Sequence, residues 1–375
     1  MKVDKSKRKI CLLEEICSIR TGKKDANHAD DNGCYPFFTC GAIPLKSTTY
    51  SFEGANLIVP GNGDIGRCFY YDGKIEAYQR TYVIQLKDNS NIDTKYLYSI
   101  FKACWKSYIE NKILGAAMPY IKLGHLNSFP IPIYDLDIQL LITSELDAMQ
   151  AMIDGYKAQI ADLDALAQSI FHNTFGNVAI NDKCWNIIPM GQLGNFKNGL
   201  NYSKEERGKS VKIIGVGDFH CIKCISSFDN ISYIEVEDTP QEYLLHNEDI
   251  IFVRSNGNKN LVGRCLEVFP NNTEVTFSGF CIRFRKSVEI INKYFISFLT
   301  DIEFKNTHIL KSNGIGIQNI NQKLLSSLPI PVPPIDIQKK YAIQVEAIEK
   351  QKELIRQQLT DAETLMAERM QYYFS

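Results

Sequence analysis

Between Arg254 and Arg264 the chain gathers Arg254, Asn256, Asn258, Lys259, Asn260 and Arg264 within eleven positions. Arginine and lysine pair with guanine O6/N7 or with phosphate, and asparagine pairs bidentately with adenine, so this run is suited to reading DNA. The same residue types also suit a solvated polar turn, and content alone does not choose between the two. Nearer the N-terminus the comparable types are Lys23, Lys24, Asn27 and His28, then Arg67, Gln79, Arg80 and Lys112. Lys204 and Arg207 add basic groups to the second half of the chain. Lys122 and Lys311, with Asn313, flank Gly-bearing loops and suit phosphate positioning.

Other spacings are weaker. Gly61-Asn-Gly63-Asp-Ile-Gly66 has the dinucleotide-fold spacing, but Arg67-Cys-Phe-Tyr-Tyr-Asp-Gly73 follows, a strand-and-turn pattern rather than the helix that should hold a pyrophosphate. Cys221-Ile-Lys-Cys224, preceded by His220, lacks the second ligand pair of a structural zinc site and reads as thiols. His125 and His172 read as packing or polar surface. There is no Asn-Pro-Pro-Tyr-like methyltransferase run and no P-loop, so neither catalysis nor a cofactor is expected in this chain.

The elements that must position the polar residues follow from length and pattern. A chain of 375 residues, 45% hydrophobic and 23% charged, predicts about two to four folded units and is far from the composition of disorder. The net charge of -1 advertises no nucleic-acid or membrane partner globally, so any such partner must be argued locally. Eleven scattered cysteines and the absence of a signal-peptide core or a long apolar run give the expectation of a cytoplasmic protein with free thiols and no membrane contact.

Laid against itself, the sequence repeats with an offset of 199 residues. Leu126-Asn-Ser-Phe-Pro-Ile-Pro-Ile133, then Asp137-Ile138-Gln139, realigns with Leu325-Ser-Ser-Leu-Pro-Ile-Pro-Val332, then Asp336-Ile337-Gln338. The phase holds to the end, where Phe175 falls on Phe374. Upstream the offset drifts, from 177 at Leu13–Gly22 against Met190–Gly199 to 197 at Ile65–Cys68 against Val262–Cys265. One part of each copy therefore varies in length and the other does not.

A heptad seam explains the constant part. Ile142, Leu146, Met149, Ile153, Tyr156, Ile160, Leu163, Ala167 and Ile170 recur four and three apart, as in a long helix packed on another helix. The second copy gives Tyr341, Val345, Ile348, Lys352, Ile355, Leu359, Ala362, Met366, Arg369 and Tyr373 in the same phase. One inserted residue would rotate the seam by about 100°, so length is held. The charged seam residues Lys352 and Arg369 fit three readings: snorkelling, register specification or partner docking.

The variable parts carry short β-type runs such as Ala55–Val59, Arg80–Leu86, Asp249–Val253 and Phe280–Phe284. Helices are expected near Thr94–Glu110 and Ile291–Phe304, and the Pro runs from Phe129 and Leu328 mark boundaries before the long helices. The expected order is module, long helix, module, long helix. Antiparallel packing of the two helices would give a pseudo-two-fold axis. Residues 126–180 carry one basic and seven acidic side chains, so the first helix should turn away from phosphates.

The two Pro-Ile-Pro…Asp-Ile-Gln junctions, the heptad helices after them and the stretches Gly115-Ala-Ala-Met-Pro-Tyr-Ile121 and Asn313-Gly-Ile-Gly-Ile-Gln-Asn-Ile320 before them carry a resemblance. Over essentially its whole length the sequence resembles the specificity (S) subunit of type I restriction-modification systems. It departs at the first junction, where Tyr134-Asp135 stands in place of Pro333-Pro334.

The resemblance implies an α+β chain with target-recognition domains at 1–133 and 179–332 and spacer helices at 134–178 and 333–375. The helices would form an antiparallel coiled-coil spacer. It implies a non-catalytic subunit that reads an asymmetric bipartite double-stranded DNA target. Its implied partners are methyltransferase (modification) subunits, two in number, and a restriction subunit that carries out cleavage. The competing reading from the residues is a non-enzymatic protein-interaction scaffold in which the helical rod is the functional surface.

Overall fold

The computed structural model describes residues 2–88, 90–115, 117–202, 208–219, 224–237, 240–258, 261–310 and 319–375. The chain forms two compact units, Met1–Gln159 with Ile355–Ser375, and Ile160–Leu354.

In the first unit a four-stranded antiparallel sheet has the order Cys17–Thr21, Thr81–Leu86, Ala55–Pro60, Phe69–Asp72. Ala55–Pro60 is buried along nearly its whole length, as a central strand that is apolar but for Asn56 requires. A second sheet has the order Leu45–Ser47, Tyr35–Phe38, Glu76–Ala77. The helix Thr94–Ile100 starts where the Asp93 carboxylate accepts the Tyr96 N–H at 2.8 Å. It continues through a π-helical turn, Phe101–Trp105, into Lys106–Glu110. Trp105 is fully buried there and donates from Nε1 to the Ile65 carbonyl at 2.8 Å.

The second unit repeats this plan. Its larger sheet has the order Gly194–Asn198, Cys281–Lys286, Asp249–Val253, Cys265–Val268, Cys224–Ile225. The smaller has Tyr233–Val236, Lys209–Ile214, Val275–Phe277. The helix Asn292–Thr300 and a π-helical turn, Lys305–Leu310, follow.

The Pro runs before the long helices are themselves strands. Pro130–Ile133 pairs antiparallel with Lys9–Leu12, and Pro329–Val332 with Asn186–Pro189. Alternating prolines are compatible with a two-stranded ladder because their missing N–H groups can lie on the unpaired edge while Ile131 and Ile330 bury their side chains. The buried Tyr96 and Tyr294 hydroxyls donate to the Pro132 and Pro331 carbonyls, each at 2.7 Å.

The long helices run Leu136–Phe175 and Ile335–Phe374, forty residues each, offset by the repeat at both ends. At 1.5 Å per residue each is about 60 Å long. The seam positions are buried or half-buried from Ile142 to Ile170 and from Tyr341 to Tyr373. Within the first unit Glu145 pairs with Arg369 at 2.6 Å and Lys157 with Glu363 at 2.9 Å, so the partner numbering falls as the first helix advances. Within the second, Asp164 pairs with Lys352 at 2.6 Å and Phe171 packs on Tyr341 with ring centroids 5.7 Å apart. The helices are antiparallel in both.

Helix ends complete each module's core. Ile142 and Leu146 join Tyr373 and Phe374 against Tyr96, Leu97 and Ile131, while Tyr341 and Val345 join Phe171 and Phe175 against Tyr294, Phe298 and Ile330. No described helix is long and apolar enough to cross a membrane.

The Asp-Ile-Gln glutamines tie the helices to the modules. Gln139 is fully buried; its Oε1 accepts the Asp93 N–H at 3.0 Å and its Nε2 donates to the Tyr134 and Asn91 carbonyls at 2.7 and 3.2 Å. Gln338 accepts the Ile291 N–H at 2.9 Å and donates to the Pro333 carbonyl at 2.8 Å. Replacing Pro333 by Tyr134 leaves this contact intact because it uses only the carbonyl.

Lys352 is buried between Asp164 and Glu349, with nitrogen–oxygen distances of 2.6 and 3.0 Å. Arg369 bonds Glu145 and the Tyr373 hydroxyl. Of the three readings of these charges, register specification fits: each faces an acid on the opposite helix.

Candidate nucleic-acid interface

In the first unit the turn Tyr78–Thr81 closes with the Thr81 N–H on the Tyr78 carbonyl at 2.8 Å, leaving Gln79 and Arg80 exposed at its apex. The Arg80 carbonyl accepts the Gly61 N–H at 2.8 Å, the Gly61 carbonyl accepts the Ile121 N–H at 2.9 Å, and the Gly63 N–H donates to Pro119 at 2.8 Å. Main-chain bonds thereby lock three loops, around residues 61–63, 78–81 and 114–121, into one corner. A Cβ at Gly61 would sit 2.3 Å from the Arg80 carbonyl oxygen, so the loop as it runs in this unit leaves no room for a side chain there.

The second unit builds the same corner. The Cys281 N–H closes a turn on Ser278, the Arg254 N–H donates to Phe280, and the Ile320 N–H donates to Arg254, each at 2.8 Å. The bridge between Ser255 and Asn319 matches that between Asn62 and Tyr120. Arg254 thus takes the place of Gly61, and Phe280 that of Arg80. The arginine has moved from one loop to its neighbour.

Between the loops of the first corner lies a cleft of about 390 Å³, lined by Thr21, Gly61, Asn62, Gln79, Arg80, Tyr82, Met118, Tyr120 and Ile121. Tyr120 and Met118 are exposed at its mouth. Asn62 donates to the Met118 sulfur at 3.4 Å, while its buried Oδ1 has no protein partner among the described residues. Gln79 donates to the Asp25 carboxylate at 3.2 Å, which fixes its amide and leaves Oε1 as an acceptor.

The corners gather some of the expected residues and not others. Lys24 accepts the Gln79 N–H on its carbonyl at 2.9 Å, with Lys23 exposed beside it. Asn27 lies on the short 3-10 turn Ala26–His28 capped by Asp25, and exposed Lys122 directly follows Ile121. Arg254, Asn256 and Asn258 sit together, with the Asn256 side chain accepting the Asn258 N–H at 2.7 Å.

Arg67 is instead paired with Asp64 at 2.6 Å, and Lys112 lies 3.3 Å from the centroid of the Tyr108 ring. Half-buried Arg264 donates to the Phe219 carbonyl at 3.4 Å. Lys204, Arg207, Lys259, Asn260, Lys311 and Asn313 lie outside the described residues, as do His220 and Cys221. Asn62, Tyr82, Met118, Tyr120 and Phe280 were not singled out by residue type; aligning the two copies turn against turn would have paired Phe280 with Arg80.

Other chemistries are not built. Gly61-x-Gly63-x-x-Gly66 leads into the strand Phe69–Asp72, which pairs back on Ala55–Pro60, so no helix N-terminus meets the loop. Burial raises the Cys224 thiol pKa and pushes Cys17 and Cys281 up to about 12, keeping these thiols protonated. Among the described residues no group of three or more His, Cys, Asp or Glu side chains could hold a metal ion.

In both units the described loop residues are tied by matching main-chain hydrogen bonds, with exposed polar side chains beside them in the first. Sequence comparison names the class. A family profile described as Type I restriction modification DNA specificity domain matches residues 6–164 and again 174–364.

The chain is 27% identical to the Type I restriction enzyme EcoDI specificity subunit of Escherichia coli over 377 residues, covering 93% of this chain and 83% of that one. Against the Type I restriction enzyme StySPI specificity subunit of Salmonella potsdam it is 27% identical over 280 residues, covering 69% and 59%. The fold matches the crystal structure of the type I restriction-modification S subunit from M. genitalium with a TM-score of 0.61 at 17% identity, over 100% of this chain and 98% of that one. The chain belongs to the type I restriction-modification DNA specificity family and carries its domain in tandem.

Proposed function

We propose that this chain reads DNA for a type I restriction-modification complex, each module contacting one half of a bipartite target through its three-loop corner. The observation that carries this reading is the repetition of one backbone framework with different side chains on it. In the first corner the Arg80 guanidinium suits guanine O6/N7, and the free Gln79 Oε1 suits an exocyclic amino group of adenine or cytosine. In the second, Arg254, Asn256 and Asn258 offer a different set, so the two halves of the target differ in sequence. Lys23, Lys24 and Lys122 hold phosphates at the rim of the first corner.

The subunit is non-catalytic and works with other subunits of the system. Modification subunits, two per complex, supply methyl transfer, and a restriction subunit supplies cleavage. The near-neutral chain contributes limited phosphate affinity alone, so those subunits strengthen binding. A protein-interaction scaffold is not favoured, because the family match covers both modules rather than the helices alone.

Deleting the gene and sequencing host DNA for methylation tests the reading: one bipartite methylated motif disappears. If every bipartite motif persists, the reading fails. Exchanging residues 179–332 for those of another family member changes one half-site and preserves the other.

A further inference from the structure

Phe280 is 62% exposed at the apex of the turn that joins Val275–Phe277 to Cys281–Lys286. Single exposed apolar side chains are ordinary on protein surfaces, and exposure alone gives Phe280 no role. Its place in the framework does. It stands where the first module presents Arg80, with its carbonyl in the same main-chain bond and Arg254 on the adjoining loop.

The turn is also rigid. Gly279 donates its N–H to the Leu200 carbonyl at 2.8 Å, and a Cβ there would sit 2.0 Å from Asn201 Oδ1. The Ser278 hydroxyl accepts the Phe280 N–H at 3.3 Å, and Arg254 Nη1 donates to the Gly279 carbonyl at 3.5 Å. A turn held by these bonds presents one exposed aromatic side chain, next in sequence to the carbonyl that Arg254 bonds. The ordering cost of placing that ring against a partner is therefore small.

We infer that Phe280 is a specificity-determining residue of the second module and that it contacts the 5-methyl group of a thymine in the major groove. The inference rests on the DNA-reading function proposed above. An apolar side chain at a base-reading position gains from the thymine methyl, the one apolar group on a base edge in the major groove, and forms no hydrogen bond with guanine, adenine or cytosine. Arg80 at the matching place selects by hydrogen bonding, so the two modules use opposite chemistries at one framework position.

The test uses the chain assembled with its modification subunits and a duplex carrying the motif found by methylation sequencing. Each thymine of the second module's half-site is replaced in turn by deoxyuridine, which removes only the methyl. One replacement is expected to weaken wild-type binding about three- to five-fold, the worth of one buried methyl. Phe280→Ala is expected to lose that sensitivity while responding as wild type to changes in the other half-site. Phe280→Leu should retain part of it.

A half-site without thymine on either strand overturns the inference, as does a Phe280→Ala complex still sensitive to the same methyl. Phe280-dependent unstacking of a 2-aminopurine probe, the mark of a wedge between bases, also overturns it. Those results leave the DNA-reading function standing, whereas a wild-type complex with no bipartite target removes both.

Discussion

Replacing Gln338 by alanine removes the two hydrogen bonds that fasten the start of the second long helix to its module, one from the Ile291 N–H and one to the Pro333 carbonyl. Gln338 is 1% exposed, so water does not substitute freely for the lost amide. Each stranded polar group costs about 1–3 kcal/mol, and the vacated side-chain volume adds to this, giving a loss of about 3 kcal/mol. For a unit of this size that lowers the melting temperature by about 6–12 °C.

Urea unfolding gives the free energy, and hydrogen exchange over Ile290–Phe295 should report lost protection at the Ile291 amide. Gln338→Glu separates hydrogen bonding from packing. The carboxylate still accepts from Ile291 but cannot donate to Pro333, and it brings a buried charge. Its folded-state pKa is raised by that burial, so its destabilisation is full at neutral pH and shrinks as pH falls through the raised value, where a protonated acid donates again. A loss below about 1 kcal/mol for the alanine variant, with unchanged exchange, would refute the fastening role.

Lys352→Met keeps the aliphatic stem and removes a buried ammonium, so stability should stay within about 1 kcal/mol of wild type in urea unfolding, whereas Lys352→Ala should cost about 2–3 kcal/mol. The Arg369 guanidinium, through its hydrogen bond, holds the Glu145 carboxyl at about 2. A depressed carboxylate stabilises above its unfolded pKa and loses that contribution as pH falls through the folded one, so the stability gap between wild type and Glu145→Gln should be full at pH 6 and close between about pH 4.5 and 2. Four residues inserted after both Gln159 and Gln358 add about 6 Å of helix and should widen the gap between the methylated half-sites by about one to two base pairs, read by methylation sequencing. An unchanged gap would show that the helices do not set it.

The repeat, the seams and the junction glutamines were legible because they are periodic or duplicated. A heptad needs an apolar residue at fixed intervals, so its burial follows from the spacing, and both forty-residue helices begin and end in register with the repeat. The strands Ala55–Pro60 and Asp249–Val253 announced themselves as apolar runs for the same reason. The prolines of Pro130–Ile133 and Pro329–Val332 looked only like helix boundaries, since a proline strand is tolerated or not according to which edge its partner occupies.

Sequence alone determined that this protein is two copies of one module with one heptad helix apiece, because side-chain periodicity and duplication are written residue by residue. Tertiary structure decided which polar residues share a surface. The three-loop corner is tied by main-chain N–H and carbonyl groups that every residue but proline supplies in full, so its assembly leaves little trace in residue type. That is why Arg67 and Arg264, equally basic on paper, bond Asp64 and the Phe219 carbonyl. Exposed Phe280, which composition would assign to a core, stands at the corner's apex in place of Arg80.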